Sequence, residues 1–271
     1  MNDERNNAGA EQLTVETAIA KLQQKTDLGA RYYAAWWLGK FRVDQPAAIN
    51  ALLVALEDES DRAPDGGYPL RRNAARALGK LGDTRAVSSL IRCLDSTDFY
   101  VREAAAQALE NLNDLSCIPA LMAMLAGGVT AAQFVIGKPH LIQPYEAVIE
   151  ALGTLGATEA IPLIEPFTQH PVAKVKYAAA RAMYQLTKEA QYGDILIQAL
   201  SGDDLQLRRS ALMDLAAVGY LPAGEAIAET LAENSMKLIA LKGLLESNLQ
   251  TNSSKLSPEN IKIMDLMDSL L

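Results

Sequence analysis

The apolar and polar positions of this chain recur in blocks of eight that fit one face of a helix. Seven segments align without gaps: "RYYAAWWL" from Arg31, "RRNAARAL" from Arg71, "REAAAQAL" from Arg102, "YEAVIEAL" from Tyr145, "KYAAARAM" from Lys176, "RRSALMDL" from Arg208 and "KLIALKGL" from Lys237. Their starts lie 40, 31, 43, 31, 32 and 29 residues apart. The fourth place is small or β-branched (Ala34, Ala74, Ala105, Val148, Ala179, Ala211, Ala240). The eighth is long and apolar (Leu38, Leu78, Leu109, Leu152, Met183, Leu215, Leu244). Small then large at i and i+4 makes a close-packing stripe along one helix. A second apolar helix follows several segments, as in "AAINALLVALE", "RAVSSLIRCLD" and "CIPALMAMLA". Paired helices at such a period predict an all-α fold, an α-solenoid of helix-pair repeats stacked into a curved superhelix over one continuous core.

The departures from this period set the expected boundaries. Residues 1–12 read as a disordered N-terminus, 13–247 as the solenoid, 248–257 as a linker and 258–271 as an amphipathic helix. Ser257 is the expected N-cap of that last helix, with Pro258 at its first position. Either a tail folded back as a cap or a docking helix fits its apolar positions Ile261, Met264, Met267 and Leu271. The two long spacings hold inserted loops, "EDESDRAPDGGYP" and "GGVTAAQFVIGKPHLIQP". Insertions in a repeat array tend to decorate one face, often the binding face.

The copies also test one another. On a helical wheel, places one, four, five and eight cluster on one side, and places two, three and six lie opposite. Place six holds Trp36, Arg76, Gln107, Glu150, Arg181, Met213 and Lys242, so it is normally a solvated position and Trp36 is an apolar ring on the surface. Place two (Tyr32, Arg72, Glu103, Glu146, Tyr177, Arg209, Leu238) says the same of Tyr32. Place seven is Ala77, Ala108, Ala151 and Ala182 in four copies, which assigns Trp37 to packing. An exposed aromatic ridge suits a flat or apolar ligand. Arg72 and Arg76 fall on the same face one repeat along, with guanidinium groups able to fork onto carboxylates. Arg31, Arg71, Arg102 and Arg208 share place one and are expected to bond within the scaffold.

Composition narrows the partners. The formal charge of −8 disfavours a nucleic-acid backbone or an anionic membrane surface. No stretch approaches the ~20 apolar residues of a membrane span, and "MNDERNNAGAEQ" has no signal core, so a cytoplasmic location is expected. Cys93 and Cys117 sit at helical spacing among apolar neighbours and read as buried, reduced thiols. No metal-binding or nucleophile motif is present. Glu103, Glu146 and Glu150 stand out only by their face, His140 by its insertion, and His170, before Pro171, less still.

The stretch "DLGARYYAAWWLGKFRV", continued by "YPLRRNAARALGKLGDTRAVSSLIRCLD", resembles the E subunits of the cyanobacterial E/F-type phycobilin lyases, HEAT-like repeat proteins, across roughly residues 13–247. The resemblance implies a heterodimer with a homologous F-type subunit. That pair would bind phycocyanobilin and attach it by a thioether to a cysteine of the phycocyanin α subunit. No cofactor of its own and no metal are implied; the bilin is a bound substrate. Tyr32, Tyr33 and Trp36 would then stack on pyrrole rings, and Arg72 and Arg76 would pair with the propionates. The nucleophile belongs to the acceptor, so Glu150 and His140 stand only as weak catalytic candidates. A non-catalytic scaffold of the same repeat, and the E subunit of the related phycoerythrocyanin lyase-isomerase, are the alternative readings.

Overall fold

The computed structural model describes residues 13–251 and 256–271. The N-terminal stretch expected to be disordered lies outside them, as do positions 252–255 of the expected linker. The described residues form α1 (Val15–Gln23), α2 (Leu28–Lys40), α3 (Pro46–Leu56), α4 (Pro69–Leu81), α5 (Val87–Cys93), α6 (Phe99–Leu112), α7 (Ile118–Met124), α8 (Gly128–Ala131), α9 (Tyr145–Thr154), α10 (Ile161–Ile164), α11 (Ala173–Thr187), α12 (Ala190–Ala199), α13 (Leu205–Val218), α14 (Gly224–Glu229), α15 (Asn234–Thr251) and α16 (Pro258–Asp268). An isolated antiparallel bridge, Phe134 to Leu141, is the β pairing among them.

The chain divides into two compact units, one ending at Cys117 and one beginning at Ile118, where a single continuous core was expected. In the first, α2, α4 and α6 stack in one layer, with α1, α3 and α5 paired behind them. In the second, α9, α11, α13 and α15 form the stack, backed by α7, α10, α12 and α14. The seven stacking helices are the seven aligned segments. All their fourth- and eighth-place side chains are buried, at 0–1% exposure.

Within a stack the repeats are held close by a pairing of small residues. Gly39 at the ninth place of its segment meets Ala77 at the seventh place of the next, and Gly79 meets Ala108 and Gly153 meets Ala182 in the same way. A Cβ on any of these glycines would lie 2.6–2.7 Å from an alanine Cα, inside contact distance. Gly243 against Ala216 is the same pair reversed.

The place-one arginines bond within the scaffold, as expected. Arg31 Nε donates to Leu22 O (3.1 Å), Arg71 Nε to Leu56 O (2.9 Å), Arg102 Nη1 to Ser96 O (2.6 Å), and Arg208 Nη1 to Gly202 O (2.5 Å). Lys237 Nζ continues the series onto Ala228 O at 2.9 Å. Each cation satisfies a carbonyl at or just past the end of a backing helix, where the helix dipole also favours positive charge.

One boundary differs from the sequence reading. The linker was expected from residue 248, but α15 runs to Thr251. Ser247 packs so tightly under Gly219 that a Cβ there would collide with its Oγ, and this contact carries the helix through weak formers. The last helix folds back on the stack: α16 packs on α14 and α15, burying Ile263 at 3% exposure over Gly224, whereas Ile261, Met264 and Leu271 of the expected apolar stripe are exposed. Ser257 Oγ accepts from Asn260 N (3.2 Å) as the N-cap, Lys262 pairs with Glu225 (2.7 Å), and Asn234 Nδ2 donates to Leu270 O (2.9 Å).

Candidate functional site

Places two and six carry no buried residue in any of the seven copies, which makes them one continuous outward face within each unit. Place three is mixed. Tyr33 is exposed there, but Ala104, Ala147 and Ala178 are buried, because a lone methyl at that angle still reaches the neighbouring helix.

In the first unit this face is aromatic and basic. Tyr32, Tyr33 and Trp36 on α2 are 44%, 48% and 43% exposed. Tyr33 and Trp36, one turn apart, stack with ring centroids 5.4 Å apart and planes 28° from parallel. Asn73 on α4 donates its Nδ2 to Tyr32 O at 3.1 Å, tying the two helices together beneath the ridge. Trp37 is half-buried and packs on Phe41 at 4.8 Å, so its assignment to packing holds without full burial. Arg72 lies over the Tyr100 ring at 5.7 Å and keeps a buried Nε with no hydrogen-bond partner. Arg76 is 3.9 Å from Glu103, a loose pair. Partial burial, then the adjacent Arg72, pull its pKa down, while Glu103 opposes them. The structure thus puts Arg72 and Arg76 on the helix next to the ridge, with one orphan donor and one weakly held guanidinium.

In the second unit the same face forms a cavity of about 410 Å³. Glu146 and Glu150 of α9 line it, with Tyr177 of α11 and Asp214 of α13. Arg181 bridges the carboxylates, 3.7 Å from Glu150 and 3.3 Å from Asp214. Burial pushes the Asp214 carboxyl up to about 6, with Arg181 pulling the other way and Glu146 adding to the rise. Burial raises Glu146 too, against Lys174. Asp214 was missed in the sequence. It is the one charged residue at place seven, a signal the internal comparison contained.

The other candidates lie elsewhere. His140 sits in the hairpin of the second insertion, its Nδ1 2.8 Å from Leu141 O, and does not line the cavity with Glu150. His170 is structural: its Nδ1 accepts from Val172 N (3.1 Å), so its Nε2 donates to Ala132 O (3.3 Å) at the base of that hairpin. Cys93 and Cys117 are free and fully buried. Burial raises both thiols, Cys117 to about 11. Among the described residues no group of His, Cys, Asp and Glu is arranged to hold a metal, and no helix is long and apolar enough to cross a membrane.

Helices paired in two layers within each unit define a helical-repeat protein. The model for HEAT repeats matches residues 15–110, 63–131 and 144–235. The phycocyanobilin lyase subunit alpha of Picosynechococcus sp. is 64% identical over 97% of this chain and 98% of its own length. The bilin biosynthesis protein PecE of Nostoc sp. is 45% identical over 89% of this chain and 90% of its own. In the solved complex of CpcE and CpcF of phycocyanin lyase from Nostoc sp., a chain 62% identical superposes with a TM-score of 0.87, covering 100% of both chains. The chain belongs to the phycocyanobilin lyase alpha-subunit family, the E subunits of bilin lyases.

Proposed function

We propose that this chain binds phycocyanobilin on the face made by Tyr32, Tyr33, Trp36, Arg72 and Arg76, and that with an F-type subunit it attaches the pigment by a thioether to a cysteine of the phycocyanin α subunit. The observation that carries this is the stacked, exposed Tyr33–Trp36 pair beside a guanidinium with an orphan Nε, with Trp36 at a place that five of the six other repeats give to polar side chains. Flat rings at this spacing suit the planes of a conjugated tetrapyrrole, and two arginines one repeat along suit its two propionates. The chain supplies orientation, not a nucleophile: both cysteines are buried with raised pKa, and the thiol that reacts is the acceptor's. Holding an extended pigment with its ethylidene group presented to that thiol removes much of the entropy cost of the addition.

The F-type partner follows from the relative solved as a CpcE–CpcF complex. One open helical face leaves a long pigment exposed to water, and a second subunit would cover it. The cytoplasm is the proposed compartment. The test is titration of phycocyanobilin into the chain with and without the F-type subunit. A red-shifted, saturable absorbance that Trp36→Ala weakens supports the reading; unchanged pigment absorbance would leave a non-catalytic scaffold.

A further inference from the structure

The stacking helices of the second unit do not all meet in the same way. α9 and α11 touch through Gly153 and Ala182, and α13 and α15 through Ala216 and Gly243, so that backbone lies close to backbone. In the first unit Gly39 with Ala77 and Gly79 with Ala108 do the same. Between α11 and α13 the equivalent places hold Tyr184 and Asp214. Neither side chain allows the approach that a glycine allows, and a cavity of about 410 Å³ opens on the outward side of that junction. Tyr184 packs edge-on against Tyr220, with ring centroids 5.0 Å apart. Asp214 is 7% exposed and is held across the junction by Arg181 at 3.3 Å.

A carboxylate at that place weakens an otherwise close stack. A charge so nearly buried is costly to keep dry even with an ion-pair partner, and the cost falls if the helices part and water enters. Arg181 offsets only part of it, because it also faces Glu150 at 3.7 Å and keeps a buried Nε with no hydrogen-bond partner. We propose that the α11–α13 junction is the hinge of the second unit, held ajar by the ionised Asp214 side chain and closing when that side chain is neutral. The motion lies wholly within the second unit and does not depend on what the outward face binds.

The pH dependence of such a hinge has a definite sign. Burial lifts the Asp214 carboxyl to about 6, with Arg181 opposing the rise and Glu146 adding to it. A raised carboxyl favours the closed form while it is protonated. That contribution is whole below the ordinary value of 3.8 and is lost as pH rises through about 6. The hinge is therefore tight in acid and loose at neutral pH. The charged and titratable groups around Asp214 are Glu146 and Glu150 of α9, Lys174, Tyr177 and Arg181 of α11, and Arg209 of its own helix, with Tyr184 at the paired place. From α15 the uncharged Met236 lines the same space, and among the described residues none of α12 does.

Hydrogen exchange of the full chain, read peptide by peptide in a mass spectrometer and corrected for the intrinsic effect of pH, tests the hinge. In wild type, protection of the amides in Ala173–Thr187 and Leu205–Val218 should fall about tenfold from about pH 5 to about pH 8. Amides of α4, which has a glycine–alanine contact on both sides, should show no such change. Asp214→Asn, close in size and neutral at every pH, should keep α11 and α13 as well protected at about pH 8 as at about pH 5. If circular dichroism shows that variant misfolded, Asp214→Ala, the residue four other copies carry at this place, must abolish the pH dependence in its stead. A fall in protection spread evenly over the whole second unit overturns the hinge. So does a pH dependence that persists in the folded variant.

Discussion

Trp36 and Trp37 adjoin in sequence, and the fold gives them different tasks. Trp36 is stacked on Tyr33 in solvent, so Trp36→Ala is expected to leave the melting temperature nearly unchanged while weakening pigment binding. Trp37 is half-buried on Phe41, and Trp37→Ala is expected to cost about 2 kcal/mol, below the range for a fully buried ring. Denaturant unfolding of the two variants separates them, and equal losses would refute the division. Both assignments were legible because five other copies are polar at the place of Trp36 and four are alanine at that of Trp37. Asp214 stands out in the same comparison as the charged residue at place seven, but its burial and its Arg181 partner come only from the fold. Burial pushes the Asp58 carboxyl up, but hydrogen bonds from Ser60 and Arg31 outweigh it and hold it at about 2. That lowered pKa stabilises the fold above the ordinary carboxylate value, and the gain is lost as pH falls through about 2. Asp58→Asn should therefore lower the melting temperature at neutral pH and narrow its gap from wild type in strong acid. Finally, changing Cys93 and Cys117 to Ser should leave pigment transfer intact in folded protein, at a stability cost of about 1–3 kcal/mol for each hydroxyl left unsatisfied. Abolished transfer with a native dichroism spectrum would instead point to an adduct on this chain.

At the scale of helices, the glycine–alanine pairs set how closely the repeats stack. Gly79→Ala would place a methyl 2.6 Å from the Ala108 Cα, and the backbone must move to admit it. The expected cost is about 1–3 kcal/mol, read from denaturant unfolding. Gly82, in a left-handed helix cap with φ +74° and open space around it, should lose stability on substitution through backbone strain alone. If Gly79→Ala proves neutral, the stack is looser than its geometry indicates. The helix identities were readable from the small-large stripe, and the start of α16 from its Ser257 cap. The end of α15 was not, because the Ser247 contact that prolongs it lies 28 residues from its partner Gly219 in the chain. Nor did the pattern give the packed face of α16: Ile263 covers Gly224, while Ile261, Met264 and Leu271 of the expected stripe are exposed.

For the whole molecule, the repeat pattern yields a helical stack but no chemistry, and the division into two units left no mark on it that sequence could show. The proposed binding face rests on places where the repeat is broken, Tyr32 and Trp36, rings where most other copies are polar. The central claim is that this chain is one half of a pigment-attaching pair. Co-expression with acceptor, pigment and F-type subunit, leaving out one component at a time, tests it by the pigment that stays bound to the denatured acceptor. Full attachment is predicted only when every component is present, with little from this chain alone. Attachment that continues as fast and as cleanly without this chain, or with this chain and no F-type subunit, would contradict the account.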